Sequence, residues 1–542
     1  MSTENLSEKV MEIDIKLPIG IVLGGGGVLG DFQVGALKFL LKFVKGKKPV
    51  IICGTSVGAI NAAGIAAAIA TDQDTSNLEA LWLKGMMTVS QLYEYEGWFD
   101  QMLPHLKALI RGGTIARFDA ILEVIHHSVD ALAHSNKGIF ANLETALRDL
   151  SDANLSILKR APIRKKFSTY ITDSDLQRVI ASTNIKLFLA AVTLEQGELE
   201  YFCNKACTNV ESTQTVRSTP ESLTEAVFAS ASLPGIFKPT QIYSKNYVDG
   251  SIRDVVPIDI AYSCGAQTIF TVLCYPCNVP QHPTYVGSND EISDWRGRAN
   301  LLDIVQRSLN ILINETIQNH LNSYGTEKNR LKPCDQRPGH FIIDPVVNVH
   351  PFMEFHPGLI KINMDYGYMR AFDVVHGSQK NIPRECDDLT KKITLKRRKI
   401  WEKEHQFIEE LCKAKYFDCP NSDISDQFKW LGYRVDTTIL YDIRNLKKDL
   451  KQLVCDRMKK CGDESIPRAP DDVKNAYKKW EIHNWDLKYQ TLEPIVPTPW
   501  DRLDLGKKEV PVPLLERLHL GKNDLPVPLY CGKWVIKAEK PP

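Results

Sequence analysis

The apolar run Val50-Ile51-Ile52-Cys53 leads directly into Gly54-Thr55-Ser56-Val57-Gly58 and then into the small-residue run Ala59-Ile60-Asn61-Ala62-Ala63. Such a pattern leaves the backbone few options: a buried strand turns sharply into a helix, glycines relieve crowding on either side of the turn, and a serine hydroxyl is held out at the helix N-terminus. Ser56 is thereby a candidate nucleophile, with Gly54 and Gly58 shaping the elbow around it.

A second junction of the same kind lies upstream. Ile19-Gly20-Ile21-Val22-Leu23 reads as a buried parallel strand and runs into Gly24-Gly25-Gly26-Gly27-Val28-Leu29-Gly30. Four consecutive glycines offer no side chain, so the task falls to the backbone. Gly25, Gly27 and Gly30 satisfy the spacing of a dinucleotide fingerprint, but Pro49 to Thr55 holds no acidic residue for a ribose. A Walker-type loop would close on Gly-Lys-Ser/Thr, whereas Gly30 is followed by Asp31-Phe32. The context instead favours an oxyanion hole, in which the N–H groups of Gly25, Gly26 and Gly27 point at an oxygen that gains negative charge. One such donor is worth about 3 to 4 kcal/mol of barrier.

A third element lies far along the chain. Tyr247-Val248-Asp249-Gly250-Ser251 places an aspartate at the end of a short apolar strand, within reach of Ser56 across the sheet ends. An ordinary aspartate, with a pKa near ~3.9, is a weak base, so a dry site has to raise its basicity. No histidine lies in or beside the three motifs, which points to a Ser56–Asp249 dyad rather than a triad.

Together these blocks resemble a known family. Leu23 to Leu37, Gly54 to Ala59, Ala229-Ser230-Ala231-Ser232-Leu233-Pro234-Gly235-Ile236-Phe237, and Asp249-Gly250 are similar, in order and spacing, to the four blocks of the patatin-like phospholipases. The resemblance implies a lipid acyl hydrolase with Ser56 as nucleophile, Asp249 as base and the Gly25 to Gly27 amides as oxyanion donors, working without metal or cofactor. The family usually carries a basic residue where this chain has Leu29, and Asp-Gly-Gly or Asp-Gly-Ala where it has Asp249-Gly250-Ser251.

Strand-like runs recur at 187–193, 268–273 and 340–345, with helical stretches between, and 358–375 resembles the closing helix of the patatin fold. The expected fold class is α/β, with a mainly parallel central sheet, helices on both faces, a helical insertion and a mainly α-helical C-terminal region. The expected boundaries are an N-terminal extension at 1–16, a catalytic domain at 17–378 with a helical insertion at 72–182, a charged helical domain at 379–495, and a tail at 496–542. Within the insertion, Leu81-Trp82-Leu83, Met86-Met87 and Trp98-Phe99 are either subdomain core or part of an acyl-chain groove.

A chain of 542 residues exceeds one ordinary core, so several domains are expected. A net charge of +1 argues against bulk attraction to nucleic acid or to an anionic membrane. Met1 to Lys16 lacks the pattern of a secretory signal, and the run Ala62 to Ala70 is much shorter than the ~20 residues that span a bilayer. The thirteen cysteines are odd in number and scattered, so reduced thiols and a cytoplasmic setting, peripheral to membranes, are expected. Cys274-Tyr275-Pro276-Cys277 lacks the partners of a redox or zinc motif, and His340, His350 and His356 read as ordinary core or surface histidines.

Beyond residue 380 the chain turns basic, with Lys391 to Lys399 and then 446–460 rich in lysine and arginine. Such runs are either solvated helix faces or headgroup contacts. In the tail, Arg502 to Leu514 is repeated 15 residues later by Arg517 to Leu529, each copy ending in Pro-Val-Pro-Leu. This is a duplicated extension or a docking segment for a protein partner. The expected substrate is a phospholipid or lysophospholipid at a membrane surface. An acyltransferase or thioesterase using the same dyad, and a catalytically weak lipid-binding protein, are the alternatives.

Overall fold

Ile19–Leu23 (β1) and Val50–Thr55 (β2) are buried at every residue. Because side chains alternate between the two faces of a strand, burial without alternation means that the sheet is covered on both sides. The computed structural model describes residues 15–44, 49–85, 94–95, 156, 158–205, 215–218, 223–234, 236–276, 315–316, 339–350, 357–377, 384–413 and 438–467.

Helices Asp31–Val44 (α1) and Val57–Ala70 (α2) follow the two strands, and Ser76–Ala80 (α3) follows α2. Next come Glu94–Tyr95 (β3), Leu158–Lys159 (β4), Ala161–Tyr170 (α4), Asp173–Ala181 (α5), Ile185–Thr193 (β5), Leu199–Cys203 (β6) and Thr215–Ser218 (β7). The domain continues through Leu223–Ser230 (α6), Thr240–Ile242 (β8), Lys245–Asp249 (β9), Ile258–Ser263 (α7), Thr268–Val272 (β10) and Gly339–Ile343 (β11). The sheet order is β11-β10-β1-β2-β5-β6-β7, with β9 added antiparallel to β5 and β8 antiparallel to β9. From β11 to β5 every neighbour is parallel, and β6 then runs antiparallel to β5. This is the mixed α/β architecture with a mostly parallel central sheet that the sequence pattern predicts.

Register places the chemistry. Leu23 lies opposite both Gly54 and Val272, and Thr55 lies opposite Ala190. The glycine loop after β1 and the serine turn after β2 therefore leave neighbouring strands at the same edge, where open parallel sheets bind ligands. β9 pairs with the last residues of β5, Asp249 opposite Ala191, which carries the aspartate back to that edge.

The long helix Pro357–Gly377 (α8) lies against α1. The two backbones nearly touch: a Cβ on Gly35 would fall 1.6 Å from the Met364 carbonyl oxygen, and one on Gly367 would fall 2.0 Å from that of Phe32. Arg384–Lys413 (α9) and Thr438–Cys461 (α10) then pack as a pair on α8, sharing the apolar cluster of Met369, Ile393, Ile400, Leu450, Val454 and Ile466. At its centre the fully buried Arg457 pairs with Asp373 at 2.8 Å and donates to the carbonyls of Ser465, Cys386 and Met369.

One expectation is corrected in this region. Thiols are not all free, since Cys386 and Cys461, at facing ends of α9 and α10, form a disulfide with Cα atoms 6.2 Å apart. In the basic run, Lys391 pairs with Asp387, Lys396 with Asp449, Arg397 with Asp365 and Arg398 with Glu402, while Lys392 and Lys399 are exposed. Residues 1–14, the centre of the insertion with Met86-Met87 and Trp98-Phe99, Gly235, Cys277, His356 and the duplicated tail lie outside the described residues. Within the span expected as an insertion, Glu94–Tyr95 and Leu158–Lys159 form the antiparallel pair β3–β4. No described helix is long and apolar enough to cross a membrane.

Candidate active site

Ser56 occupies the turn between β2 and α2 with φ 57° and ψ −126°. A non-glycine residue held at such a φ costs on the order of 1–3 kcal/mol and persists only where its surroundings impose it. The surroundings are identifiable. A Cβ on Gly58 would lie 2.3 Å from the Leu23 carbonyl oxygen, and one on Gly54 would lie 2.4 Å from that of Gly58, so neither elbow glycine can carry a side chain. The Ser56 N–H donates to Ser230 Oγ at 3.0 Å, and the Ser56 carbonyl accepts from Ala59 at 2.9 Å. The Ser56 hydroxyl makes no capping bond to the helix it begins and stays half-buried at the sheet edge.

Asp249 ends β9 and is almost wholly buried, with 1% of its surface exposed. Its backbone N–H donates to the Ser232 carbonyl at 2.9 Å, and its Oδ1 accepts from the Ser251 N–H at 2.8 Å. Oδ2 is buried without a hydrogen-bond partner among the described residues. Burial raises the pKa of this carboxyl to about 6, against the opposing pull of the Ser56 hydroxyl and of the Ser251 N–H and hydroxyl. The serine hydroxyl thus acts on the carboxylate without satisfying Oδ2. A carboxylate with that pKa is ionised at neutral pH and is a stronger base than an ordinary aspartate.

The glycine loop lies against Ser56 and Ser251. A Cβ on Gly25 would sit 3.3 Å from Ser56 Cβ and 2.4 Å from Ser251 Oγ, so these two side chains share one face of Gly25. One part of the sequence reading is corrected here. The Gly25 N–H donates to the Val255 carbonyl at 2.9 Å and is not available as an oxyanion donor. The N–H groups of Gly26 and Gly27 have no such partner among the described residues. Gly27 adopts φ 55° at the start of the short 3-10 turn Gly27–Gly30. Behind Gly26 stands Cys274, whose Cβ would be 2.2 Å from a Cβ on that glycine. The Cys274 thiol is buried and its pKa is pushed well up, chiefly by desolvation, which leaves it a space-filling group. Leu29, where a basic residue is usual, is buried in the main core.

Three groups of residues take roles here that the motifs did not assign to them. In the segment 229–234, Ser230 holds the backbone of Ser56 and Ser232 holds that of Asp249. Arg160, where the chain returns from the insertion, donates to Ser232 Oγ at 2.9 Å and also bonds Thr240 and the Lys238 carbonyl. Two serines alternating within an apolar stretch were the available signal. Asp31, directly after the loop, is fully buried and bonded to His350 Nε2 at 2.8 Å and to Asn363 at 2.6 Å. His340 goes elsewhere, to Thr271 Oγ1 at 2.8 Å, and burial lowers its pKa to about 4. His340 and His350 are therefore taken up by Thr271 and Asp31. Gln33 and Asn61, single amides on apolar helices, are both fully buried.

Residues 21–262, which hold the loop, Ser56 and Asp249, match the family described as Patatin-like phospholipase. No curated protein gives a significant match. Among solved structures the chain is similar to VipD from Legionella pneumophila at 13% identity, over 89% of this chain and 93% of that one, with a TM-score of 0.28.

Proposed function

We propose, from the premise that residues 21–262 form a patatin-like phospholipase domain, that this chain cleaves the fatty-acyl ester of a phospholipid or lysophospholipid by a serine–aspartate dyad. Lipid acyl hydrolysis is the general activity of such a domain; the residue roles and the substrate class are the proposal. The observation that carries it is the juxtaposition of a strained, uncapped serine with a buried carboxylate oxygen and two loop N–H groups that have no partner among the described residues.

Asp249 accepts the proton of the Ser56 hydroxyl as Oγ attacks the ester carbonyl carbon. The carbonyl oxygen gains the negative charge, and the N–H groups of Gly26 and Gly27 receive it. Collapse of this intermediate expels the alcohol, the lysolipid or glycerophospho product, which takes the proton back from Asp249. Water then attacks the acyl-serine ester with Asp249 again as base, and a fatty acid leaves. Gly25 contributes by holding the loop against Val255 and by giving Ser56 and Ser251 room. The setting proposed is cytoplasmic, with the protein working from one side of a membrane surface.

Fluorophosphonate labelling of wild type, Ser56→Ala and Asp249→Asn, with fatty-acid release from mixed phospholipid vesicles, tests the reading. Loss of both signals in both variants is expected. Full hydrolysis by Ser56→Ala would overturn it, and vesicle binding without labelling would favour the lipid-binding alternative.

A further inference from the structure

Between the glycine loop and the beginning of the insertion runs a buried chain of side-chain amides. The Trp82 indole Nε1–H donates to Asn61 Oδ1 at 2.9 Å. The Asn61 amide nitrogen donates to Gln33 Oε1 and to the Gly30 carbonyl, each at 2.9 Å. The Gln33 amide nitrogen in turn donates to the Gly24 carbonyl at 2.7 Å and to the Val272 carbonyl at 3.1 Å. Gln33 and Asn61 are 0% exposed and Trp82 is 1% exposed, so none of these groups exchanges its partner for solvent. Each amide oxygen has its donor and both N–H bonds of each amide are used, the condition under which a buried polar network is stabilising rather than costly.

The direction of the chain is determined from both ends. An indole N–H donates and cannot accept, and backbone carbonyls accept and cannot donate. Trp82 therefore requires the oxygen of Asn61 on its side, and the NH2 groups of Asn61 and Gln33 must face Gly30, Gly24 and Val272. Two of these three carbonyls, those of Gly24 and Gly30, bracket the oxyanion loop. The Gly24–Gly25 peptide is held at both ends, by Gln33 on its oxygen and by Val255 on its N–H. The Gly30–Asp31 peptide is held by Asn61. Trp82 also touches the loop directly, since its ring carbon Cζ2 would lie 3.1 Å from a Cβ on Gly30.

We infer that Trp82 is a positioning residue for the oxyanion loop, setting the polarity of the Asn61–Gln33 relay that orients the peptides on either side of Gly26 and Gly27. Without the indole N–H, Asn61 Oδ1 is buried with no donor. Asn61 then gains by turning toward another donor or a water, and its hold on Gly30 goes with it. This inference rests on the hydrolase reading for its catalytic consequence, and on the geometry alone for its structural one.

The test replaces Trp82 by β-(3-benzothienyl)alanine, which keeps the ring volume and lacks only the N–H, beside Trp82→Phe. On a p-nitrophenyl fatty ester, kcat is expected to fall about tenfold or more in the isosteric variant, with KM moved less than about twofold, the pattern of a displaced catalytic group. Amide hydrogen exchange is measured on the same proteins, and the segment 24–33 is expected to lose protection while α2 and β2 keep theirs. Unchanged protection of 24–33 in the isosteric variant overturns the inference, as does a kcat equal to wild type in an enzyme that Ser56→Ala inactivates. Hydrolysis that survives Ser56→Ala would instead overturn the hydrolase reading, and the exchange result would still decide the role of Trp82.

Discussion

Ser230 Oγ accepts the backbone N–H of Ser56 at 3.0 Å, although the two residues are 174 positions apart. This bond ties the strained serine to α6, and two residues on, the Ser232 carbonyl receives the N–H of Asp249. One short segment thus fixes the backbones of both proposed catalytic residues, and the distance between them depends on it.

Ser230→Ala leaves the Ser56 N–H without its partner in a site that supplies few alternatives. The expected outcome is a stability loss of about 1–3 kcal/mol by urea unfolding and a kcat lowered about tenfold or more as the elbow relaxes. Ser230→Thr, which keeps the acceptor, recovers most of the rate.

The pH profile follows from Asp249. As the proposed base, Asp249 works ionised, and burial sets its pKa at about 6, so kcat/KM is expected to rise with pH through about 6 and level off above it. The stability sign runs the other way. An unfolded aspartate titrates near ~3.9, so the folded state binds the extra proton between the two values. The contribution is complete below the unfolded pKa and is lost as pH rises through about 6. Asp249→Asn is therefore inactive yet more stable than wild type at pH 8, by at most about 3 kcal/mol, and this advantage shrinks at pH 5. Denaturant melts of both proteins at the two pH values check it.

Gly26→Ala drives a methyl group into Cys274, whose Cβ and Sγ would lie 2.2 Å and 2.5 Å away. Activity and thermal midpoint both fall. With Cys274→Gly added, the nearest remaining atom is on Tyr275 at 3.5 Å, an ordinary contact, and both properties recover in part. A double-mutant cycle on kcat and stability is expected to show coupling of about 1–3 kcal/mol. Gly26 lies at φ 172°, an extended value open to any residue, so the effect is one of space.

The Cys386–Cys461 bond closes a separation of 75 residues around the buried Arg457. Alkylation followed by mass spectrometry is expected to find these two thiols protected in the protein purified without reductant. Replacing both by serine costs about 2–4 kcal/mol, while Arg457→Met, which leaves Asp373 buried without its cation, costs about 3–5 kcal/mol.

Much of this protein was legible from the chain alone. The unalternating apolar runs of β1 and β2, the glycines placed where they end, and the serine between two glycines each have a local physical meaning: strand, turn and exposed hydroxyl follow from residues adjacent in sequence. Parallel strands with short loops then bring Ser56 and the glycine loop to one edge, and the isolated strand ending in Asp249 completes the set.

What the tertiary structure alone decided is the pairing of polar groups. Gly25, Gly26 and Gly27 are equivalent in sequence, but the fold brings the Val255 carbonyl to Gly25 and leaves the other two N–H groups without a partner among the described residues. His350, read as an ordinary histidine, reaches Asp31 across 319 positions, and Lys391 and Lys396 find acids on their own helix and on α10. A hydrogen-bonding group is satisfied by whatever the topology carries to it. Local pattern specifies that a donor exists; only the folded arrangement of distant segments determines whether it is already used.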